Sequence, residues 1–118
     1  MPASETKARA RTVLTRRFGH DDFQTGQWEP IRAVLDGKDA LVVMPTGSGK
    51  SLIYQLPALL LPGLTVVVSP LIALMKDQQD KLAEQGVDAL AIHSHLSTGE
   101  ARETHRQLEE GEGNILYL

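Results

Sequence analysis

Four short apolar runs, separated by segments of helical periodicity, constrain the fold of this chain most strongly. The runs contain β-branched residues and no charges, and they cover residues 40–44, 64–68, 89–92 and 114–118. Between them, the spacing of apolar positions predicts amphipathic helices over residues 50–60, 70–86 and 100–110. Strands that alternate with helices over short connections form a parallel sheet with right-handed crossovers. The pattern therefore predicts an α/β fold of three layers, with helices on both faces of a sheet of about four strands.

Two more helices are predicted ahead of the first apolar run. One ends near Gly19 with Ser4 as its N-cap, and the other spans residues 27–35. The first carries a group of basic residues, namely Lys7, Arg9, Arg11, Arg16 and Arg17. A solvated helix face explains these charges as well as a binding surface does. We divide the chain into an N-terminal helical segment, residues 1–36, and a sheet-containing part, residues 37–118.

Composition excludes several classes of function. The formal charge of −3 and the pI near 5.7 argue against a protein that coats nucleic acid through bulk positive charge. The absence of cysteine excludes disulfides, thiolate metal sites and a cysteine nucleophile. Because no apolar stretch approaches the ~20 residues of a membrane span, and no signal peptide is recognisable, we expect a soluble protein of the cytoplasm.

The strongest chemical signal is the segment Met44-Pro-Thr-Gly-Ser-Gly-Lys-Ser51, which lies between an apolar run and a helix. Glycines without a Cβ let successive backbone N–H groups turn towards a polyphosphate, and the helix start adds more N–H groups. Lys50 would reach the terminal phosphates of ATP, and the hydroxyl of Ser51 would ligate Mg²⁺. The predicted nucleotide-binding residues of this loop are Thr46, Gly47, Ser48, Gly49, Lys50 and Ser51, of which Lys50 and Ser51 are also assigned to catalysis.

A second block of residues precedes this loop: Leu14-x-x-x-Phe18-Gly19-x-x-x-Phe23-x-x-Gly26-Gln27-x-x-x-Ile31. It resembles motif 0 of the RecQ-type DNA helicases of superfamily 2, which also place a residue other than glycine where this loop has Met44. The resemblance implies that Gln27 reads adenine, and a carboxamide does match the N6 and N7 edge of that base. It also implies that His20 stacks near the base. Gln24 is also assigned to the nucleotide; many family members have arginine at this position, whose charge a neutral amide does not supply.

The segment Val66-Val-Val-Ser-Pro-Leu-Ile-Ala-Leu-Met-Lys-Asp-Gln78 is similar to motif Ia of the same family. The resemblance implies that Ser69, Pro70 and Lys76 contact the backbone of a single DNA strand, and that Ser94 faces DNA after the next strand. A solvated helix lysine explains Lys76 equally well. His93 and His95 suggest a metal pair, but no further ligand stands at a plausible spacing.

Together these blocks imply the first RecA-like domain of an ATP-dependent 3′→5′ DNA helicase, acting in DNA repair and recombination at the nucleoid. Its cofactors would be ATP and Mg²⁺, and its partners single-stranded and partly duplex DNA. An Asp-Glu-x-His element and a second RecA-like lobe are not present in the chain, so we expect the fragment to bind nucleotide without hydrolysing it appreciably. Two alternatives stay open: another phosphate-loop enzyme that does not act on DNA, and a non-catalytic nucleotide-binding or interaction module.

Overall fold

The computed structural model describes residues 3–45 and 49–118, and the chain forms two compact units, Met1–Pro62 and Gly63–Leu118. The first unit contains the helices α1 (Ala3–Phe18), α2 (Trp28–Leu35) and α3 (Lys50–Leu60). The second unit contains β1 (Thr65–Val67), α4 (Ile72–Glu84), β2 (Ala89–Ala91), α5 (Thr98–Glu109) and β3 (Ile115–Tyr117). None of the described helices has the length and apolar character needed to cross a bilayer.

The first unit is a small helical cluster in which α1 and α2 both pack on α3. Its core contains Ala10 and Leu14 from α1, Ile31 from α2, and Leu52 and Leu56 from α3. The two core residues of α1 are four positions apart, as are the two of α3, so each pair lies on one face of its helix. The core fixes the direction of α3, the helix that follows the predicted phosphate loop.

The boundaries of α1 differ from the prediction at one end. The helix is already formed at Ala3, so Ser4 lies inside its first turn and is not the N-cap. It ends at Phe18, and Gly19 adopts φ +73°, as expected for a glycine that terminates a helix. Beyond it, Asp22 accepts a hydrogen bond from the Phe23 N–H at 2.8 Å and from Arg11 at 3.1 Å. The Phe23 bond, assisted by the Arg11 charge, lowers the pKa of Asp22.

The prediction of a strand over residues 40–44 is wrong. The segment has no ladder partner among the described strands, and the side chains of Leu41 and Val43 are 93% and 91% exposed. Val42 and Met44 are half-buried. The side chains of this segment therefore alternate between exposed and half-buried positions, as in a strand, although no strand forms. An apolar run specifies which side chains avoid water, but a strand also requires a neighbour whose N–H and C=O groups pair with its own.

The second unit is built on a parallel sheet of three strands in the order β1-β3-β2. Ile115 of the central strand pairs with Thr65 on one side and with Ala89 on the other. All three residues of β3 are buried, as expected of a strand flanked on both edges and covered on both faces. The α/β class with a parallel sheet is therefore confirmed, with three strands among residues 3–45 and 49–118 where about four were predicted.

Helix α4 begins later than predicted. Pro70 lies outside it, because the helix starts at Ile72 with Leu71 as its N-cap residue. The helix packs on β2 and buries Met75 and Leu82. The side chain of Gln79 adds a hydrogen bond of 3.1 Å from its Nε2 to the carbonyl of Ala89. Helix and strand are thus held together by apolar burial and by one bridging carboxamide.

Helix α5 begins at a capping box. The Oγ of Ser97 accepts a hydrogen bond from the Glu100 N–H at 3.1 Å, and Glu100 accepts one from the Ser97 N–H at 3.0 Å. These reciprocal bonds satisfy two N–H groups that the helix itself cannot pair. They also lower the pKa of the Glu100 carboxyl, with the bond from the Ser97 N–H as the main cause.

Replacement Ser97→Ala should lower the free energy of unfolding of this chain by about 1 kcal/mol, the usual effect of losing an N-cap hydroxyl. Urea denaturation followed by circular dichroism measures the change. Ser94→Ala is the matched control, because Ser94 is exposed in the same connection and takes no part in the capping box. Equal effects of the two substitutions would contradict a capping role for Ser97.

Candidate nucleotide-binding site

Gln27 lies at the centre of the candidate site and is 3% exposed. Its Nε2 donates a hydrogen bond of 3.1 Å to the carbonyl of Gly49, and its Oε1 accepts one of 2.8 Å from the Gln24 N–H. The Gln27 N–H donates in turn to the Gln24 carbonyl at 3.1 Å, which closes a tight turn. The predicted adenine-reading residue therefore joins the turn at residues 24–27 to the residue immediately before Lys50.

Gly49 is required by the geometry of this contact. It adopts φ +81°, a conformation that side chains with a Cβ rarely take. A Cβ at this position would also collide with Nε2 of Gln27, and it would lie 3.2 Å from Oε1 of Gln24. Both glutamine side chains thus occupy the space beside Gly49 that any larger residue would fill.

Gly26 and Met44 lie beside the same turn. Gly26 has φ +85°, and a Cβ there would be 3.9 Å from Cε of Met44. The residue that departs from the common phosphate-loop pattern therefore sits against the glycine that precedes Gln27.

The N-terminus of α3 supplies groups that suit an anion. The helix starts at Lys50, and no side chain caps it at Gly49. The first N–H groups of any α-helix have no acceptor within the helix, and the helix dipole favours negative charge at this end. Lys50 is exposed and, within residues 3–45 and 49–118, is not joined to a carboxylate by a salt bridge. Ser51 shares with Lys50 a shallow depression of about 240 Å³ that Val42 and Tyr54 also line.

The remaining predicted nucleotide-binding residues divide into two groups. Thr46, Gly47 and Ser48 lie outside the described residues. His20 is exposed just beyond the end of α1, where its N–H donates to the Leu14 carbonyl at 3.3 Å and its carbonyl accepts from the Thr15 hydroxyl at 3.1 Å. Its backbone position is thus fixed by α1, while its ring faces solvent.

The predicted DNA-contacting residues lie in the second unit. Ser69 and Pro70 follow β1, and Ser94 follows β2, so the parallel sheet brings them to the same edge, at the carboxyl ends of the strands. Ser69 is fixed there, since its N–H donates to the Leu118 carbonyl at 2.9 Å and its Oγ accepts from the Leu71 N–H at 3.2 Å. Lys76 is exposed on α4 and lies 3.9 Å from Asp80. Ligands of parallel sheets bind at this edge.

The aromatic residues of the block before the loop are structural, as the sequence indicates: Phe23 and Trp28 pack on the core with ring centroids 5.3 Å apart, and the Lys7 ammonium lies 5.5 Å from the Trp28 ring centroid. One feature of the site was not found from the sequence. The contact between Gln27 and Gly49 spans 22 positions of the chain. The one sequence signal that pointed to it was the glycine directly before Lys50, which does not identify the partner.

Comparison with known proteins agrees with the motifs. The family model described as DEAD/DEAH box helicase matches residues 24–118. The chain is 47% identical over 112 residues, 95% of its length, to the ATP-dependent DNA helicase RecQ of Haemophilus influenzae. It is 45% identical over 111 residues to the protein of the same name in Bacillus subtilis, and 49% identical over 118 residues to the ATP-dependent DNA helicase Q5 of Rattus norvegicus. The chain spans 18%, 19% and 12% of these three relatives, respectively.

Replacement Gly49→Ala should weaken the binding of ATP to this chain and destabilise the first unit, because alanine would displace the Gln27 side chain as well as strain the backbone. The strain alone costs about 1 to 2 kcal/mol. Thermal unfolding and fluorescent ATP-analogue titration measure the two effects. Gly37→Ala is the control, because Gly37 has φ +79° but no atom within 4 Å of an added Cβ. If both substitutions left nucleotide affinity equal, the Gln27 contact would have no part in binding.

Proposed function

Because the chain belongs to the DEAD/DEAH box helicase family, we propose that it is the ATP-binding part of a RecQ-type ATP-dependent 3′→5′ DNA helicase. The observation that carries the proposal is the hydrogen bond from Gln27 to Gly49. It joins the residue assigned to adenine with the start of the helix assigned to phosphate. A glycine turn that arose for structural reasons alone would need no buried carboxamide beside it.

The phosphate groups of ATP would be held by the loop and by the start of α3. Lys50 provides an ammonium group without a salt-bridge partner among the described residues, and the helix start provides N–H groups. Thr46, Gly47 and Ser48 would complete the loop with further backbone N–H groups. The Ser51 hydroxyl is the group of this chain that would ligate Mg²⁺, whose positive charge offsets the charge that develops on the phosphates.

Adenine would be read by Gln27, with Gln24 beside it and His20 as the stacking ring. The Nε2 of Gln27 carries two hydrogens, of which one is used by Gly49. The Oε1 likewise accepts one bond, from the Gln24 N–H, and retains a second lone pair. Adenine can therefore engage the carboxamide at the second hydrogen and the second lone pair while the bonds to Gly49 and Gln24 persist. This arrangement couples the base to the position of the phosphate loop through a single side chain.

DNA would be contacted by the second unit through Ser69, Pro70, Lys76 and Ser94. The shared edge of the sheet supports this, because the hydrogen bonds of Ser69 hold its hydroxyl in place there, and a hydroxyl can donate to a sugar–phosphate backbone. The overall charge of −3 is compatible with such local contacts, since they do not depend on bulk attraction. Single-stranded and partly duplex DNA are the proposed substrates, and the nucleoid in the cytoplasm is the proposed location.

Hydrolysis and unwinding would need groups that this sequence does not contain. It has no Asp-Glu-x-His sequence to position Mg²⁺ and water, and the relatives that it resembles are several times longer. A second RecA-like lobe would supply an arginine to the transferred phosphate. We therefore assign nucleotide binding to this chain, and coupled hydrolysis, translocation and unwinding in DNA repair and recombination to the whole helicase.

Replacement Lys50→Ala in the whole helicase should reduce DNA-stimulated ATP hydrolysis at least roughly a hundredfold, since a positive charge at the transferred phosphate is lost. Unwinding of a duplex with a 3′ single-stranded tail should fall with it. The measurements are phosphate release with and without single-stranded DNA, and strand separation.

Lys38→Ala is the matched control, because Lys38 is an exposed lysine ahead of the loop. Unwinding that survives Lys50→Ala would refute the motor assignment. ATP hydrolysis that single-stranded DNA does not stimulate would favour a phosphate-loop enzyme without nucleic acid, and nucleotide binding without hydrolysis in the whole protein would favour a non-catalytic module.

Replacement Gln27→Glu should weaken ATP binding to this chain and reduce the preference for ATP over GTP, because the carboxylate lacks the N–H that both Gly49 and adenine require. Competition of ATP and GTP against a fluorescent analogue measures the preference. Glu29→Gln, which replaces an exposed carboxylate on α2 with a carboxamide, should leave the preference for ATP over GTP unchanged. An undiminished preference in the Gln27→Glu protein would remove Gln27 from adenine recognition.

A further inference from the structure

An open cleft lies within the second unit, between the N-terminal halves of α4 and α5 and above the carboxyl end of β2. Its volume is about 760 Å³, within the ~300–1,000 Å³ range of small-molecule sites. The space exists because Ala73, Ala91 and Gly99 line it with little or no side chain. The residues assigned to ATP all belong to the first unit, and the residues that line this cleft all belong to the second.

Two imidazole rings line the cleft where the chain leaves β2. The rings of His93 and His95 have centroids 6.1 Å apart and stand at 90° to each other. The N–H of His95 donates to Nδ1 of His93 at 3.2 Å, so the turn that positions them is held by its own hydrogen bond. His95 is exposed, and His93 is half-buried. Because the rings are perpendicular, a planar ligand can stack on one of them but not on both.

Carboxylates stand on the α5 wall of the same cleft. Glu103 is held by Arg106, whose Nε and Nη2 donate to its two oxygens at 3.0 and 2.6 Å. Glu100 uses Oε1 for the Ser97 N–H, and a carboxylate retains further acceptor positions after one such bond. The wall therefore presents hydrogen-bond acceptors, and it favours a ligand whose edge carries N–H donors.

The α4 wall carries the opposite charge. The Lys76 side chain lines the cleft and is 82% exposed, with Asp80 3.9 Å away. A ligand that meets stacking rings, an acceptor and a mobile ammonium at one site has a planar ring, an amino group and an attached anion. A nucleotide with an exocyclic amino group has all three, and cytosine donates from N4 to carboxylates in protein–DNA contacts.

We propose that the α4–α5 cleft receives one unpaired nucleobase with an exocyclic amino group, that is cytosine, adenine or guanine, stacked on His95 with its amino group at Glu100. Lys76 contacts the phosphate attached to that nucleotide. The inference rests on the proposed function in one respect, since the base would come from the single strand that the helicase follows. Thymine has no exocyclic amino group, so the cleft discriminates against it.

The test uses this chain with dCMP and dTMP, and with labelled oligonucleotides of deoxycytidine and of thymidine. We expect deoxycytidine to bind roughly tenfold more tightly than thymidine, the usual effect of one base-specific contact. Chemical-shift changes on adding dCMP should concentrate at His93, His95 and Glu100. Equal affinity for the two bases, absence of binding, or shift changes confined to α1–α3 would overturn the proposal.

Variants separate stacking from hydrogen bonding. His95→Ala should weaken binding of both bases roughly tenfold, and His95→Phe should restore it, because base stacking requires a flat ring and no charge. Glu100→Gln keeps the capping box, which accepts glutamine, but turns an amide NH₂ towards the cleft and should abolish the preference for deoxycytidine. His105→Ala, on α5 outside the cleft lining, is the control and should change neither quantity.

The outcomes distinguish this inference from the proposed function. Mononucleotide binding by this chain needs neither ATP nor the second lobe, whereas the Lys50→Ala experiment measures hydrolysis and unwinding in the whole helicase. Normal helicase activity together with no base preference in the cleft would reject only the proposal of a nucleobase site. Selection of deoxycytidine by the cleft in a protein without DNA-stimulated hydrolysis would reject only the proposal of a helicase motor.

Discussion

The hydrogen bond between the Gln27 carboxamide and the Gly49 carbonyl is the constraint on which the proposed nucleotide site depends. A carboxamide that is 3% exposed must find partners for its donor and acceptor, because leaving either unpaired costs about 1 to 3 kcal/mol. Gln27 meets this requirement with Gly49 on one side and the Gln24 N–H on the other. The approach is possible only because Gly49 has no Cβ. One small residue and one buried amide thus fix the turn before α2 against the beginning of α3.

The helical core of the first unit gives this contact a defined geometry. Leu14, Ile31 and Leu56, each fully buried, hold α1, α2 and α3 together, so the residues at the ends of the helices have defined positions. The charged and polar groups of the site then extend from a packed scaffold. Arginine at position 24 is not needed for this geometry, because the backbone N–H of Gln24 makes the bond to Gln27.

In the second unit the parallel sheet brings several polar side chains to a single edge. Parallel strands end together, so the connections after β1 and β2 bring Ser69, Ser94 and the two histidines to the same side of the sheet. Capping of α5 by Ser97 and the bond from Gln79 to β2 hold the helices that flank this edge. The polar groups there are fixed mainly by hydrogen bonds to backbone, which suits recognition of a backbone and its bases without a large positive charge.

The sequence alone determined most of the local structure of this protein, and it predicted the chemistry of its site. Helical periodicity located the five helices, short apolar runs located β1, β2 and β3, and the loop from Met44 to Ser51 indicated a phosphate site, because these properties depend on neighbours close in the chain. What only the tertiary structure decided depends on distant partners. Residues 40–44 have the composition of a strand but pair with none of the strands that the structure describes, and Gln27 meets Gly49 across 22 positions. The α4–α5 cleft likewise exists because two separate helices converge above β2. Hydrogen bonds and packing between distant segments are set by the folded chain, and a local pattern carries no information about which partner will be there.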